Sequence, residues 1–163
     1  MTISEMAVKM IAYSNGNLHD INHFMKVYAY AKTIGECEGL DSQTQSILEA
    51  AALLHDIACP LCREKYGNVH GPNQEAEGEI LTAEFLKDSG LPEAFIERVV
   101  FLVGHHHTLG EISGQDYQIL IEADYLVNAD ELRLPPEKIR RMMERTFKTP
   151  TGTALLKTMY RLE

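Results

Sequence analysis

The run Ile47-Leu48-Glu49-Ala50-Ala51-Ala52-Leu53-Leu54 is apolar on nearly every side and closes on His55-Asp56. A helix of that composition has no solvated face, so it belongs at the centre of a bundle with other helices around it. The polar pair that ends it is thereby carried inward. Elsewhere in the 163 residues, apolar side chains recur with the helical period and no segment sustains the period-two alternation of strands. The expected fold is an all-α helical bundle forming one domain over 1–163. Its motif-bearing core lies at about 18–130, and C-terminal helices over 135–163 pack on it.

An amphipathic segment near 2–14 stops at Ser14-Asn15-Gly16-Asn17, and a longer helix runs from about Leu18 to Glu38 before Gly39. Val27, Ala31 and Ile34 make its apolar stripe, and His23 lies on the same stripe four residues before Val27. Asp41 or Ser42 caps the central helix, with Gln45 as a capping-box partner for Ser42. Residues 59–72, rich in Cys, Pro and Gly, read as a loop. Pro72 opens a helix to about Ser89, and Pro92 opens another that runs into Gly104-His105-His106-His107. After a loop at 109–114, Tyr117, Leu120, Ile121 and Val127 form an apolar face that also carries Asp124. Helices from Pro135-Pro136 to about Lys148 and from Thr151 to Leu162 complete the chain.

The 15 Lys and Arg against 24 Asp and Glu give a net charge of -9, which argues against a general nucleic-acid binder held by its overall field. Residues 1–132 hold 7 basic and 21 acidic side chains, whereas 133–163 hold 8 and 3. That basic stretch, Arg133, Lys138, Arg140, Arg141, Arg145 and Lys148, reads first as a solvated helix face, with contact to a substrate phosphate or a partner subunit as the second reading. No stretch reaches the roughly 20 apolar residues of a membrane span, and the N-terminus lacks a basic start and cleavage pattern, so no membrane contact and a cytoplasmic location are expected. Three cysteines do not make a disulfide framework, and Cys59 and Cys62 read as ordinary loop thiols.

His23, His55, Asp56 and Asp124 thus fall on three helices, each at an inward or buried position. An ionised carboxylate in a core must be neutralised, paired or bound to a cation. Two such acids beside two imidazoles invite a divalent metal, and mixed nitrogen and oxygen donors suit Mn, Fe, Co, Ni or Zn better than Ca or Mg, with Mg still possible. Taken singly, each His could instead bond a backbone carbonyl, and each Asp could pair with Arg or cap a helix. It is the coincidence of four that favours the metal.

In this order and these contexts, His23 early in a helix, Leu53-Leu54-His55-Asp56-Ile57 closing an alanine-rich helix and Glu122-Ala123-Asp124 far downstream, the residues resemble the H…HD…D pattern of the HD-domain metal-dependent phosphohydrolases. The resemblance covers about 20 to 130. It implies an HD-like bundle with His23, His55, Asp56 and Asp124 around a metal between the helices. It also implies hydrolysis of a phosphomonoester or phosphodiester in a small phosphorylated substrate such as a nucleotide, with His55, Asp56 and Asp124 catalytic. Binuclear members carry further histidines, and by similarity His70 and one of His105 or His106 become candidates for a second ion, with Asp56 bridging and His105 preferred. Cys59 stands where the cyclic-dinucleotide branch has Lys, so the resemblance does not extend to that branch.

Arg63 and Lys65, close after the His-Asp pair, are candidates for binding substrate phosphate. Glu75, Glu79 or Glu122 would orient the imidazoles. Two other functions fit the same residues: the ligand set also resembles that of di-iron oxygenases built on this fold, and a helical scaffold that binds a nucleotide without turnover is the non-enzymatic alternative.

Overall fold

The central helix owes its position to its alanines. In the computed structural model, which describes residues 1–162, every side chain from Ile47 to Leu54 is buried. Ala50, Ala51 and Ala52, each fully buried, let neighbouring backbones come close on several sides. The chain order is α1 (Ile3–Tyr13), α2 (Leu18–Cys37), α3 (Ser42–Leu54), α4 (Cys59–Tyr66), α5 (Gly71–Leu86), α6 (Glu93–Val103), α7 (Gln115–Glu131), α8 (Pro136–Thr146) and α9 (Pro150–Tyr160). Helices α1, α2, α6 and α7 all pack against α3, while α5 covers α6 and α9 lies on α7 and α2. The described residues are helices, turns and loops without a strand.

Asp41, not Ser42, caps α3. Its carboxylate accepts from the backbone N–H of Gln43 and Thr44 and from the Thr44 hydroxyl, so three donors meet one side chain. Gln45 is thereby freed to reach α2, where its amide donates to Lys32 O and to Glu49. Gly35 of α2 makes that approach possible: a Cβ there would overlap Gln45 Oε1 and lie 3.1 Å from Leu48 Cδ2. The inward face of α2 is His23, Phe24, Val27, Ala31, Ile34 and Gly35. Each large apolar side chain buried in this way contributes about 1.5–3 kcal/mol.

The segment expected as a loop at 59–72 contains a helix, α4. Pro60 occupies its first turn, where the missing N–H costs no hydrogen bond, and Gly67 ends it in the left-handed region at φ 67°. The residues that read as loop formers act here as start and stop signals. Cys59 and Cys62 are accordingly buried helix residues, and burial drives the Cys59 thiol far above its usual pKa. Helix α8 ends at Thr146, earlier than expected, because Phe147 turns extended and the N–H groups of Lys148 and Thr149 both donate to Glu122 on α7. None of the described helices is long and apolar enough to cross a membrane.

Candidate metal centre

Helix ends place His55 and His106, the body of α2 places His23, and the way each is tied down decides which nitrogen is free. His55 caps α3 at a point where the last carbonyls lack helical partners, and its Nδ1–H donates to Ala52 O at 2.9 Å. His106, just past α6, does the same to Val103 O at 2.7 Å. His23, in the body of α2, donates through Nδ1 to Glu131 Oε2 at 2.8 Å. With all three Nδ1 positions used as donors, the neutral rings present Nε2 lone pairs, an assignment that follows from the partners.

Those lone pairs converge on two acids. His23 Nε2 lies 3.2 Å from His55 Nε2, 3.2 Å from Asp124 Oδ1 and 3.4 Å from Asp56 Oδ2. His55 Nε2 lies 3.6 Å from Asp56 Oδ2 and 3.5 Å from Asp124 Oδ1. Four acceptors so close repel one another unless a positive charge sits among them. Donors about 2.1 Å from one ion are separated by about 3.0 Å in octahedral and about 3.4 Å in tetrahedral geometry, so the spacings among His23, His55 and Asp56 match ligands of a common ion, with Asp124 Oδ1 at similar distances from the two imidazoles. The same arrangement holds a proton tightly. Burial opposes charging His23, yet Asp124, Asp56 and Glu131 outweigh it and raise its pKa to about 9. Burial also opposes ionising Asp56 and Asp124, but the surrounding imidazoles hold both well below the usual carboxylate range.

The other oxygen of Asp56 faces a second group. Its Oδ1 lies 3.7 Å from His106 Nε2, a buried nitrogen without a hydrogen-bond partner among the described residues. Asp56, His106 and His107 can offer donor atoms to one ion, as His23, His55 and Asp56 can to another. A buried orphan nitrogen aimed at a shared carboxylate fits a second cation. The donors present therefore suit one or two divalent ions of the class that takes imidazole and carboxylate together.

Similarity favoured His105 over His106, and the structure places the two rings differently. The His105 ring stacks on Phe101 with centroids 4.2 Å apart, its Nδ1 bonds Phe101 O, and it is over a third exposed. His70 is exposed at the N-cap of α5, outside both donor groups. Its neighbour Gly71 leaves room for His107, since a Cβ there would lie 3.0 Å from His107 Cγ. His107 follows the helix end, where no helical period applies, and nothing in the sequence pattern marked it.

Arg63 lines the pocket, but its guanidinium grips Asp20 at 2.6 and 2.8 Å. Lys65 pairs with Glu77 outside the pocket lining. The residue that orients His23 is Glu131, not Glu75, Glu79 or Glu122. Glu75 accepts from His107 N, Glu79 lies 3.9 Å from His105, and Glu122 anchors the turn after α8. A signal for Glu131 existed: Asp124, Asn128 and Glu131 recur at four and three residues along one face of α7, and Asn128 donates to Asp124 Oδ1 at 2.8 Å. The cluster opens into a cavity of about 520 Å³ bordered by α2, α4 and α7.

A family model for the HD domain matches residues 20–139. The chain belongs to the HD domain family. Within that span lie His23, the His55-Asp56 pair and Asp124, on the helices described above. A crystal structure of a predicted HD superfamily hydrolase from an uncultured Thermotogales bacterium matches it with a TM-score of 0.69 and 24% identity, covering 98% of this chain and 83% of that one. That likeness concerns the fold. No curated protein matches the chain.

The raised His23 pKa makes a testable pH prediction for protein stripped with a chelator. A group whose folded pKa lies above its ordinary value near 6.5 adds stability that is complete below pH 6.5 and is lost as pH rises through about 9. Urea unfolding of the stripped protein at pH 6.5 and 9.5 should show a loss on the order of 2 kcal/mol, and His23→Gln should abolish most of that difference. Equal pH dependence in the variant would contradict the assignment. Divalent-ion affinity should rise over the same interval, because the ion displaces that proton.

Proposed function

We propose that the chain is a metal-dependent phosphohydrolase acting on a small phosphorylated compound. The observation that carries this is the placement of Asp56, with one oxygen toward His23 and His55 and the other toward the orphan Nε2 of His106. Asp56 would bridge, His23, His55 and Asp124 would complete one site, and His106 with His107 the other. Divalent ions held there would acidify a water and neutralise charge on phosphoryl oxygens. The chain's own residues do the rest. Glu131 keeps the His23 proton on Nδ1, and the carbonyls of Ala52 and Val103 do so for His55 and His106, so all three Nε2 atoms stay available. Asn128 orients Asp124, and the burial of His55 and His106 keeps bulk water from the donor side of the pocket.

The deciding assay is phosphate release from p-nitrophenyl phosphate and a panel of nucleotides with Mn, Co, Ni or Mg added in turn to stripped protein. Release with at least one ion is expected, and none with any would remove the reading. Oxygen uptake by iron-loaded protein without phosphate release would move the chain to the oxygenase alternative. Within the hydrolase reading, His106→Ala should lower bound ion and rate by about 10- to 100-fold, whereas His105→Ala should leave ion content unchanged and the rate within about twofold. The reverse order would return the second site to His105.

A further inference from the structure

A second cavity, of about 700 Å³, adjoins the metal pocket and shares Tyr125, Leu134 and Met142 with it. Its other wall is one face of α8, where Lys138, Arg141 and Arg145 stand three and four residues apart and project into the same space. What sets these cations apart from the chain's other unpaired Lys and Arg is that all three line this one cavity. Lys26, Lys32, Arg63, Lys65 and Arg98 each pair with a carboxylate, but Lys138, Arg141 and Arg145 have no such partner among the described residues. Glu137 and Glu144 on the same helix form no ion pair with them, although Glu144 also lines the cavity. In a chain with 24 acids, three like charges stacked unpaired on one helix face repel one another, and an anionic ligand would relieve that repulsion.

We infer that this groove binds a phosphoryl group beyond the one being cleaved, so that the substrate is a polyphosphorylated compound lying across Tyr125 with one end in the metal pocket and the other on α8. The inference rests on the phosphohydrolase reading for the role of the metal pocket. The groove's affinity for phosphate can be measured apart from it, since chelator-stripped protein lacks the ions that would bind phosphate in the pocket and keeps the cations of α8.

Inorganic tripolyphosphate is therefore titrated calorimetrically into the full, stripped chain at low salt. Wild type should bind, the triple variant Lys138→Ala/Arg141→Ala/Arg145→Ala should bind at least about tenfold more weakly, and Arg140→Ala/Lys157→Ala, whose side chains line neither cavity, should stay within about twofold. No binding by wild type, or an equal loss in the control, overturns the inference. With metal restored, the ratio of kcat/KM for tripolyphosphate to that for p-nitrophenyl phosphate should fall at least about tenfold in the triple variant, through KM. An unchanged ratio also overturns it. The stated binding pattern without hydrolysis of either compound would support the groove and remove the phosphohydrolase reading instead.

Discussion

Asp56→Ala is expected to abolish activity and strip the protein of metal together. Asp56 is the one residue whose two oxygens face both donor groups, so its loss removes a ligand from each at once. Phosphate release should fall by at least about 10³-fold, the scale on which removal of an essential catalytic group is felt. Elemental analysis of the purified variant should find less than about a tenth of the wild-type ion content. Asp56→Asn is the sharper experiment. It keeps the shape and one carbonyl oxygen, so it should fold like wild type, as circular dichroism would show, yet it cannot bridge with two anionic oxygens. Wild-type metal content and turnover in Asp56→Asn would end the bridging assignment.

The second large effect is on stability and lies on the far side of the site. Glu122, fully buried on α7, accepts from the Gln118 amide, from the backbone N–H of Lys148 and Thr149, and from the Thr149 hydroxyl. This one carboxylate holds the turn between α8 and α9 onto the bundle. Gly152 leaves the room for it, since a Cβ there would overlap Glu122 Oε2. Glu122→Ala leaves several buried donors without an acceptor at about 1–3 kcal/mol each, so the variant should lose about 3–5 kcal/mol and roughly 6–20 °C in Tm. Glu122→Gln retains an oxygen where Lys148, Thr149 and Gln118 donate and can turn its NH₂ toward Thr149 Oγ1, so about 1 kcal/mol is expected. Thermal and urea unfolding of both variants separates the cases. An alanine variant within 1 kcal/mol of wild type would show that the turn holds without this anchor.

The helical architecture was legible because periodicity is local. His23 on the Val27, Ala31, Ile34 stripe of α2 and the His55-Asp56 pair at the end of a helix with no solvated face could both be placed from spacing alone. The same reasoning lost its hold where helices end. His105, His106 and His107 follow one another past α6, and there a residue's direction is set by which orphan carbonyl its ring captures: Phe101 O for His105, Val103 O for His106. Composition misled at 59–72, where Pro60 and Gly67 bound a helix instead of breaking one. Arg63 and Lys65 looked free only because Asp20 and Glu77, their partners, come from other helices.

By itself, then, the order of residues determined every described helix but α4 and that acids and imidazoles would be buried together, since burial follows from local pattern and a buried acid requires a counter-charge wherever it lies. Tertiary structure alone decided which nitrogen of each ring is free, that Asp56 divides its oxygens between two groups, that Glu131 orients His23, and that the basic face of α8 adjoins the pocket. Each of these depends on distances between helices far apart in the chain, and no periodicity within a single helix encodes such a distance.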